Sequence, residues 1–583
     1  MLFADPPLLA AGAEPLVRRV LAGLERTGRR AESLSLEALS ARRLHRGQTL
    51  VLADPPDAAG LLPDLIAGLA ARVRRGRGEP ARLILIYPSD PPPPWLSALK
   101  IPAPQDRLRL ETFALEDQAA RALLVRWPLH SGLDPAFGQR PHLLIAGFAP
   151  PARAFLVQAL RLIHYGEERA RVTLACADPA GTAAAFRAAY PQADAVAEIH
   201  WTAAEAPDLS SAPTQVLVAL DAPDAGLALA RQLAGRIADT HGSSPPILLE
   251  TGDRPLDGDL DDWDGQTFPC SYRDLACAPA VLLDGQVDRL AQTIHEHYTD
   301  SIAAQGRDPE REPAGRPWVE LGTSYREANR HQADHLWAKL AVTDCRAVPA
   351  ERVDAFAFAP LEAERLAVIE HLRWAADRYL DGWSYAPVRD NARKHHPQLI
   401  PYAALSEPMK DLDRFAVRGV PNLLARCGLG VVRMLILGIG EDPSAAPTGR
   451  ALERLARQTL ERLLARHPDR SLAVAATLAD PGTRLFARLA LEEAGAGLFL
   501  LCPRPLRETL ERQPDRAARR DLLALVARAE RRIPLAGADA LARWLAERAE
   551  IRLWLDGESA APQTRKPIVL DPSAGRVHWG FEY

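Results

Sequence analysis

The chain has 583 residues, 47% of them hydrophobic and 25% charged, which are the proportions of ordinary globular protein. That length excludes a single core, and three or four domains are expected. With 71 basic against 75 acidic residues the net charge is −4, which excludes bulk attraction to nucleic acid or to an anionic membrane.

The opening stretch "MLFADPPLLAAGAEPLVRRVL" has no basic region leading into an apolar run, so no signal peptide is expected. Nor does any apolar stretch approach the roughly 20 residues of a transmembrane helix, so direct membrane insertion is not expected. "QTLVLADPP" (48–56) reads as a strand, "AAGLLPDLIAGLAARVRRG" as a helix, and "ARLILIYPSD" (81–90) as the next strand, ended by the loop "PPPPW". Strand, helix, strand in that order implies a parallel sheet with right-handed crossovers. Residues 1–138 are therefore expected to form a degenerate Rossmann-like domain, without a glycine fingerprint.

A second cycle runs through "HLLIAGFAPPARAFLVQALRLIHYG" (142–166), "RVTLACADP" (171–179), "AVAEIHW" (195–201), "TQVLVALDAPDAGLALARQLAGRI" (214–237) and "PPILLETGD" (245–253). It predicts five strands with helices between them in a domain over 139–305, and the two halves have the look of an internal duplication. Gly147 stands at the first strand-to-helix turn, and Asp178 ends the second strand, where an acid can hold a ribose hydroxyl pair. This arrangement resembles the NAD-binding domain of the RCK/TrkA type. Ala149 and Ala152 replace the later glycines of that fingerprint, and Pro150 and Pro151 each remove an N–H from the phosphate cradle. A Rossmann fold with its phosphate site lost is the expectation. No cofactor is certain; NAD or another adenine nucleotide is what Gly147 and Asp178 would hold.

From about 300 to 430 strand-like runs vanish, and "SYREANRHQADHLWAKLAV" and "LEAERLAVIEHLRWAADRYLDGW" read as helices. Then "DGWSYAPVRDNARKHHPQLIPYAAL" (381–405) breaks the texture with aromatics, prolines and paired histidines. Gly382 is placed to end the preceding helix as a C′ glycine. Trp383, Tyr385 and Tyr402 offer flat faces with polar edges, and Arg389, Lys394 and His396 bring positive charge beside them. A base with a phosphate would suit such a surface. The competing reading makes these aromatics the core of a small helical domain and Arg389–Asp390 a structural ion pair. The paired His395–His396 have no partner ligands in sequence, so no metal is expected there.

The motifs "EH-x-RW" (Glu370–Trp374), "GW-x-Y-x-P-x-RD" (Gly382–Asp390), "K-x-HP-x-L-x-PY" (Lys394–Tyr402) and "KDLDR" (Lys410–Arg414) together resemble the RyR domain, the repeat of ryanodine-receptor calcium channels that also occurs in bacterial proteins. The resemblance spans 318–428 and implies a small, mostly helical recognition module. Trp374, Trp383, Tyr385, Arg389, Asp390, Lys394, His396 and Tyr402 are its candidate ligand-binding residues.

Alternation returns at "VVRMLILGIG" (431–440) and continues through "SLAVAATL" (471–478), "GLFLLCP" (497–503) and "EIRLWLDGE" (550–558). Residues 429–583 resemble the SLOG superfamily, Rossmannoid domains related to cytokinin-riboside phosphohydrolases and to nucleotide-ligand sensors. Thr477, Pro481 and Thr483 stand where those relatives carry glycines and an acid, and "APQTRKPIVL" replaces their later glycine-rich loop. The phosphate cradle is therefore expected to be degraded, leaving Arg484, Arg565 and Lys566 either as partial side-chain phosphate contacts or, as isolated basics usually are, as solvated surface.

Six cysteines (Cys176, Cys270, Cys277, Cys345, Cys427 and Cys502) form no CxxC pair and read as reduced thiols of a cytoplasmic protein. Heavy Arg, Ala and Pro usage has the character of a high-GC bacterial genome. The fold class expected is multidomain α/β, with parallel-sheet Rossmann-like domains flanking a small helical module. Eroded phosphate loops around an intact RyR motif imply a non-catalytic cytoplasmic sensor or regulatory scaffold. Its partner would be a nucleotide-like or NAD-derived small molecule, or a protein, in the setting of bacterial nucleotide signalling or anti-phage defence. Nucleic acid is not an expected partner, and a homo-oligomer is left open. The alternative is a soluble regulatory subunit of an ion channel or transporter, binding NAD or ATP, with the pore on another polypeptide. A third reading, a nucleoside-monophosphate hydrolase, would need the phosphate cradle that the C-terminal region has lost.

Overall fold

Short apolar runs become strands, and the amphipathic stretches between them become helices, in three separate sheets. The computed structural model describes residues 6–55, 61–75, 78–89, 92–93, 95–98, 107–252, 265–285, 288–304, 306–439, 449–555 and 567–580. The chain divides into two compact units. One comprises Met1–Trp127, Ala149–Ala159 and Cys270–Asp334; the other comprises Pro128–Phe148, Leu160–Pro269 and His335–Tyr583.

The first unit is built on β1 (Leu8–Gly12), β2 (Ala31–Ser33), β3 (Thr49–Ala53), β4 (Ala81–Tyr87) and β5 (Leu108–Ala114). They form one parallel sheet in the order β2-β1-β3-β4-β5. The inner strands read as unbroken apolar runs because both of their faces are covered. On one face Val17, Val20 and Leu24 of helix Glu14–Arg26 pack against Ala10, Val51, Ile84 and Ile86, with Ala276 and Cys277. On the other, Ile66 and Leu69 of helix Leu61–Arg72 meet Leu50, Leu52, Leu83 and Leu85. The edge strand β5, "LRLETFA", alternates polar and apolar residues as a strand with one free edge does.

Six strands follow in the second sheet: β6 (His142–Ala146), β7 (Arg171–Cys176), β8 (Glu198–Ala203), β9 (Gln215–Val218), β10 (Ile247–Glu250) and β11 (Thr267–Cys270). Their order is β11-β10-β9-β6-β7-β8. Counted from β6 as the first strand, that is 3-2-1-4-5-6, the order of dinucleotide-binding Rossmann sheets. Five of these strands are expected from sequence; β11, "TFPC", is too short and too weakly patterned to stand out.

The stretch read as free of strands contains β12 (Cys345–Pro349), and the RyR-like loop contains β13 (Ser384–Tyr385) and β14 (His395–His396). β12 pairs antiparallel with the first half of β15 (Leu429–Ile439). β15 is the centre of the third sheet, with β16 (Arg470–Ala476), β17 (Gly497–Cys502), β18 (Arg531–Pro534), β19 (Ile551–Trp554), β20 (Pro567–Asp571) and β21 (Arg576–Trp579). Its path is β18-β17-β16-β15-β19-β20-β21, parallel except for the final β20–β21 pair.

Within this second unit, Asp134 is wholly buried beside the third sheet. It accepts hydrogen bonds from Arg548 Nε (2.7 Å), Trp544 Nε1 (3.0 Å) and Arg531 Nη1 (3.2 Å). Arg548 in turn forms a bidentate pair with Asp344, 2.6 Å on each arm. The chain is thus mixed α/β, with parallel Rossmann-like sheets and a helical module between the second and third. Among the described residues no helix is long and apolar enough to cross a membrane.

Candidate ligand-recognition site

The helix Pro360–Leu380 carries the first motif of the RyR-like segment, and its largely apolar buried face also carries charges. Glu370, Arg373 and Asp377 all lie inside. Arg373 pairs with Glu370 (2.7 Å) and with Asp377 (2.6 Å), while Lys339 Nζ reaches Glu370 at 2.7 Å. Lys339 also lies 3.1 Å from His335 Nδ1, and the other nitrogen of that ring is 3.0 Å from the His164 carbonyl. Burial alone would raise the Glu370 carboxyl; the Arg373 guanidinium and the Lys339 ammonium outweigh it and hold it at about 2. Glu370 and Arg373 of the motif therefore orient the helix.

The helix ends in a Schellman motif. Gly382 adopts φ +81°, its N–H donates to the Tyr379 carbonyl (3.0 Å), and the Trp383 N–H donates to the Arg378 carbonyl (2.8 Å). The chain is thereby folded back so that the Trp383 indole lies under the Arg378 guanidinium, 5.4 Å from ring centroid to cation. Lys394, itself at φ +54°, donates from Nζ to the Asp381 carbonyl (2.7 Å), holding the returning arm of the loop against the helix end. β13 and β14 zip the two arms in parallel, Ser384 opposite His395 and Tyr385 opposite His396. Asp390 closes the tip by accepting from the N–H groups of Ala392 (2.9 Å) and Arg393 (3.1 Å).

The eight candidate residues separate into three groups. Trp383 is half-buried, whereas Tyr385 and Arg389 are exposed; these three form the outward surface. Trp374, His396 and Tyr402 turn inward. The Trp374 ring stacks on His371 at 5.6 Å and meets His396 edge-on at 4.9 Å, and His396 touches Trp383 at 5.9 Å. Burial, with Arg389 and Arg378 nearby, pulls the His396 imidazole down to about 4. Tyr402 donates to Glu364 (3.1 Å) under Lys410, and burial together with that carboxylate pushes its hydroxyl up to about 12. Asp390 and Lys394 form the third group, closing the loop. Trp374, His396 and Tyr402 thus pack as core, whereas Trp383, Tyr385 and Arg389 reach the surface. Arg389 donates to Asn391 (2.9 Å) and stays at the surface; the closest ion pair of Asp390 is with Arg393 at 3.8 Å.

Sequence reasoning missed Arg378 as the cation over Trp383. It lies five residues before the indole, a spacing that brings the two together only after the Schellman reversal. It also missed an apolar surface on the same module: Val388 is 74% exposed, and Leu412 and Phe415, one turn apart on helix Glu407–Arg418, are 60% and 63% exposed.

In the second sheet, Gly147 follows β6 at φ +92°, and a Cβ there would lie 2.0 Å from the Ala219 carbonyl oxygen. It is the glycine that lets β6 and β9 part at the topological switch point. The next ring, Phe148, turns aside to pack edge-on against Trp201 (5.3 Å) and Phe186 (6.1 Å). Asp178 caps helix Pro179–Ala189, accepting from Gly181 N–H at 3.0 Å, so one carboxylate oxygen is already engaged. In the third sheet, Arg484 is buried and holds the Leu478 (3.0 Å) and Ala479 (3.2 Å) carbonyls and Asp521 (3.0 Å). That spends the side chain expected to meet phosphate. Arg565 and Lys566 lie outside the described residues.

Compared with known families, residues 361–433 match the RyR domain. The match covers the buried-charge helix, the Trp383 loop, the helix with Leu412 and Phe415, and the start of β15.

Proposed function

We propose that this chain is a non-catalytic sensor or regulatory scaffold whose RyR domain recognises a nucleotide-like ligand through the Gly382–His396 loop. The observation that carries the reading is the half-exposed Trp383 indole, backed by Arg378 and flanked by exposed Tyr385 and Arg389. A base can stack on an indole whose far side is braced by a cation, and an exposed guanidinium at the rim can meet a phosphate. The resemblances of the second sheet to RCK/TrkA-type domains and of the third to SLOG domains fit this reading as scaffolds. Arg484 is spent on the Leu478 and Ala479 carbonyls and Asp521, and Asp178 on its helix cap.

A second reading rests on a separate observation. Val388, Leu412 and Phe415 expose apolar side chains on the same module, as a docking surface for a protein partner would. That partner could be a channel or transporter whose activity the chain regulates.

Thermal unfolding of the whole chain against ATP, NAD, ADP-ribose and cyclic oligonucleotides separates the two. A ligand at 100 times its Kd adds about 2.7 kcal/mol and moves the midpoint visibly. The first reading expects a shift in wild type that is lost in Trp383→Ala and in Arg389→Ala. Lys394 is a poor choice for this purpose because its side chain holds the helix end. A shift unaffected by either substitution moves recognition elsewhere in the chain. No shift with any nucleotide leaves the protein-docking reading, for which Phe415→Asp should abolish partner capture.

A further inference from the structure

The first unit contains a cavity of about 370 Å³ beside the free edge of β5, lined by none of the residues of the Gly382–His396 loop. Residues of β4 and β5 line one side, and Leu283, Asp284, Gly285, Asp288 and Gln292 with residues between Trp318 and Arg330 line the other. Volumes of this size belong to small-molecule sites. The rings of Tyr87 and Trp318, together with Leu110 and Val319, supply apolar surface; Val319 is 45% exposed, unusual for a valine without a partner.

The charges around it are unevenly matched. On helix Thr323–Asp334, Arg326 and Arg330 sit at i and i+4, a like-charge pair that costs stability unless both are neutralised. Arg330 is neutralised by Asp288 and by Glu327 (2.6 Å). The carboxylates of Asp288 and Asp334 also hold Arg121, 2.8 Å each. Arg326 has no such mate, and its Nε is buried without a hydrogen-bond partner among the described residues. Burial and the Arg330 charge pull its guanidinium below the usual arginine range. Across the cavity, Arg82 (2.6 Å) and Arg109 (3.1 Å) share a single carboxylate, Glu111. Asp284 is paired outward with Arg29, and Asp117 sits in the first turn of helix Leu115–Arg126, where the helix dipole favours it. Arg326 is half-buried, so an N–H of its guanidinium shut off from both water and an acceptor carries a cost that a bound anion relieves.

We propose that this cavity binds a small organic anion: a flat, largely apolar body between Tyr87, Trp318 and Val319, with one carboxylate or phosphate group on Arg326. Binding there is independent of the RyR loop.

The test uses the full chain and two matched pairs of probes, indole-3-acetate with indole-3-acetamide and AMP with adenosine. At millimolar concentration at least one anion should raise the unfolding midpoint, its neutral partner binding about 10-fold more weakly or worse. The identity of the effective pair distinguishes carboxylate from phosphate. The shift should vanish in Arg326→Met and persist in Arg389→Ala. The opposite pattern would assign the binding to the RyR loop and overturn the proposal, as would no shift from either anion or an equal shift from the neutral partner. A second reading guards against loss of fold. Without ligand, Arg326→Met should unfold at or above the wild-type midpoint, because it removes a half-buried charge whose Nε has no acceptor among the described residues. A clear drop would mean that Arg326 already has a structural partner and that the cavity needs no anion.

Discussion

Gly147 was read from sequence as the remnant of a phosphate loop, and the structure gives it a mechanical reason to be there. Gly12 at the end of β1 has the same one: φ +113°, with a Cβ that would fall 1.9 Å from the Ala53 carbonyl oxygen. Each glycine ends the first strand of its sheet and crosses behind the end of the neighbour on the switch-point side, Ala53 of β3 or Ala219 just beyond β9. No nucleotide is required to explain either. Gly147→Ala should therefore lose about 2–4 kcal/mol, through a left-handed φ and a backbone clash together, and lower the urea midpoint with or without NAD. A variant that unfolds like wild type but loses nucleotide binding would restore the phosphate-loop reading. Asp178 was legible as an acid at a strand end. Its engagement as a cap was not, because capping depends on where helix Pro179–Ala189 starts.

Among the elements, strands with two covered faces were the easiest to read. "HLLIA", "VTLAC" and "LAVAA" are apolar runs with at most one polar residue each, bounded by turns, and each became a central strand. β12 was missed because five residues, one a proline, carry no period, and its pairing comes from a strand about eighty residues later. The β20–β21 hairpin escaped for the same reason. The helix Pro360–Leu380 shows the opposite failure: its charges look like a solvated face, yet Glu370, Arg373 and Asp377 are buried against Lys339 and one another. Sequence can show charges at helical spacing, but only tertiary contact decides whether they face water. Arg373→Ala would leave Asp377 without its closest cation and Glu370 with Lys339 alone, and should cost about 3–5 kcal/mol. Arg373→Met, which restores volume but no charge, should not recover it unless Glu370 and Asp377 are replaced as well. Equal stability of Arg373→Met and wild type in denaturant titration would contradict the buried-network account.

On the scale of the whole molecule, acid should affect the two units differently. The second unit holds five imidazoles neutral by burial: His130 at about 3, His142, His164 and His396 at about 4, and His335 well below its ordinary value. Each binds fewer protons in the fold than in the unfolded chain. Its contribution is therefore complete above the ordinary imidazole value of 6.5 and is lost as pH falls towards 4, at up to about 1.4 kcal/mol per pH unit for each ring. The first unit relies instead on carboxylates held low against their burial, Asp288 by Arg121 and Arg330, and Glu327 by Arg330 and its neighbours. Those contributions are present above the ordinary carboxylate values of 3.8 and 4.5 and are lost only below them. Between pH 6.5 and 5, then, the second unit should weaken while the first holds. Hydrogen exchange resolved by peptide can see this directly. Peptides spanning β6 and the His164 helix end should lose protection by pH 5 after correction for intrinsic exchange rates, while those from β3 and β4 keep theirs. Replacing His164 by Asn should flatten the pH dependence in the second unit alone. If both units lost protection together, or only below pH 4.5, carboxylate titration rather than the buried imidazoles would govern the acid limb.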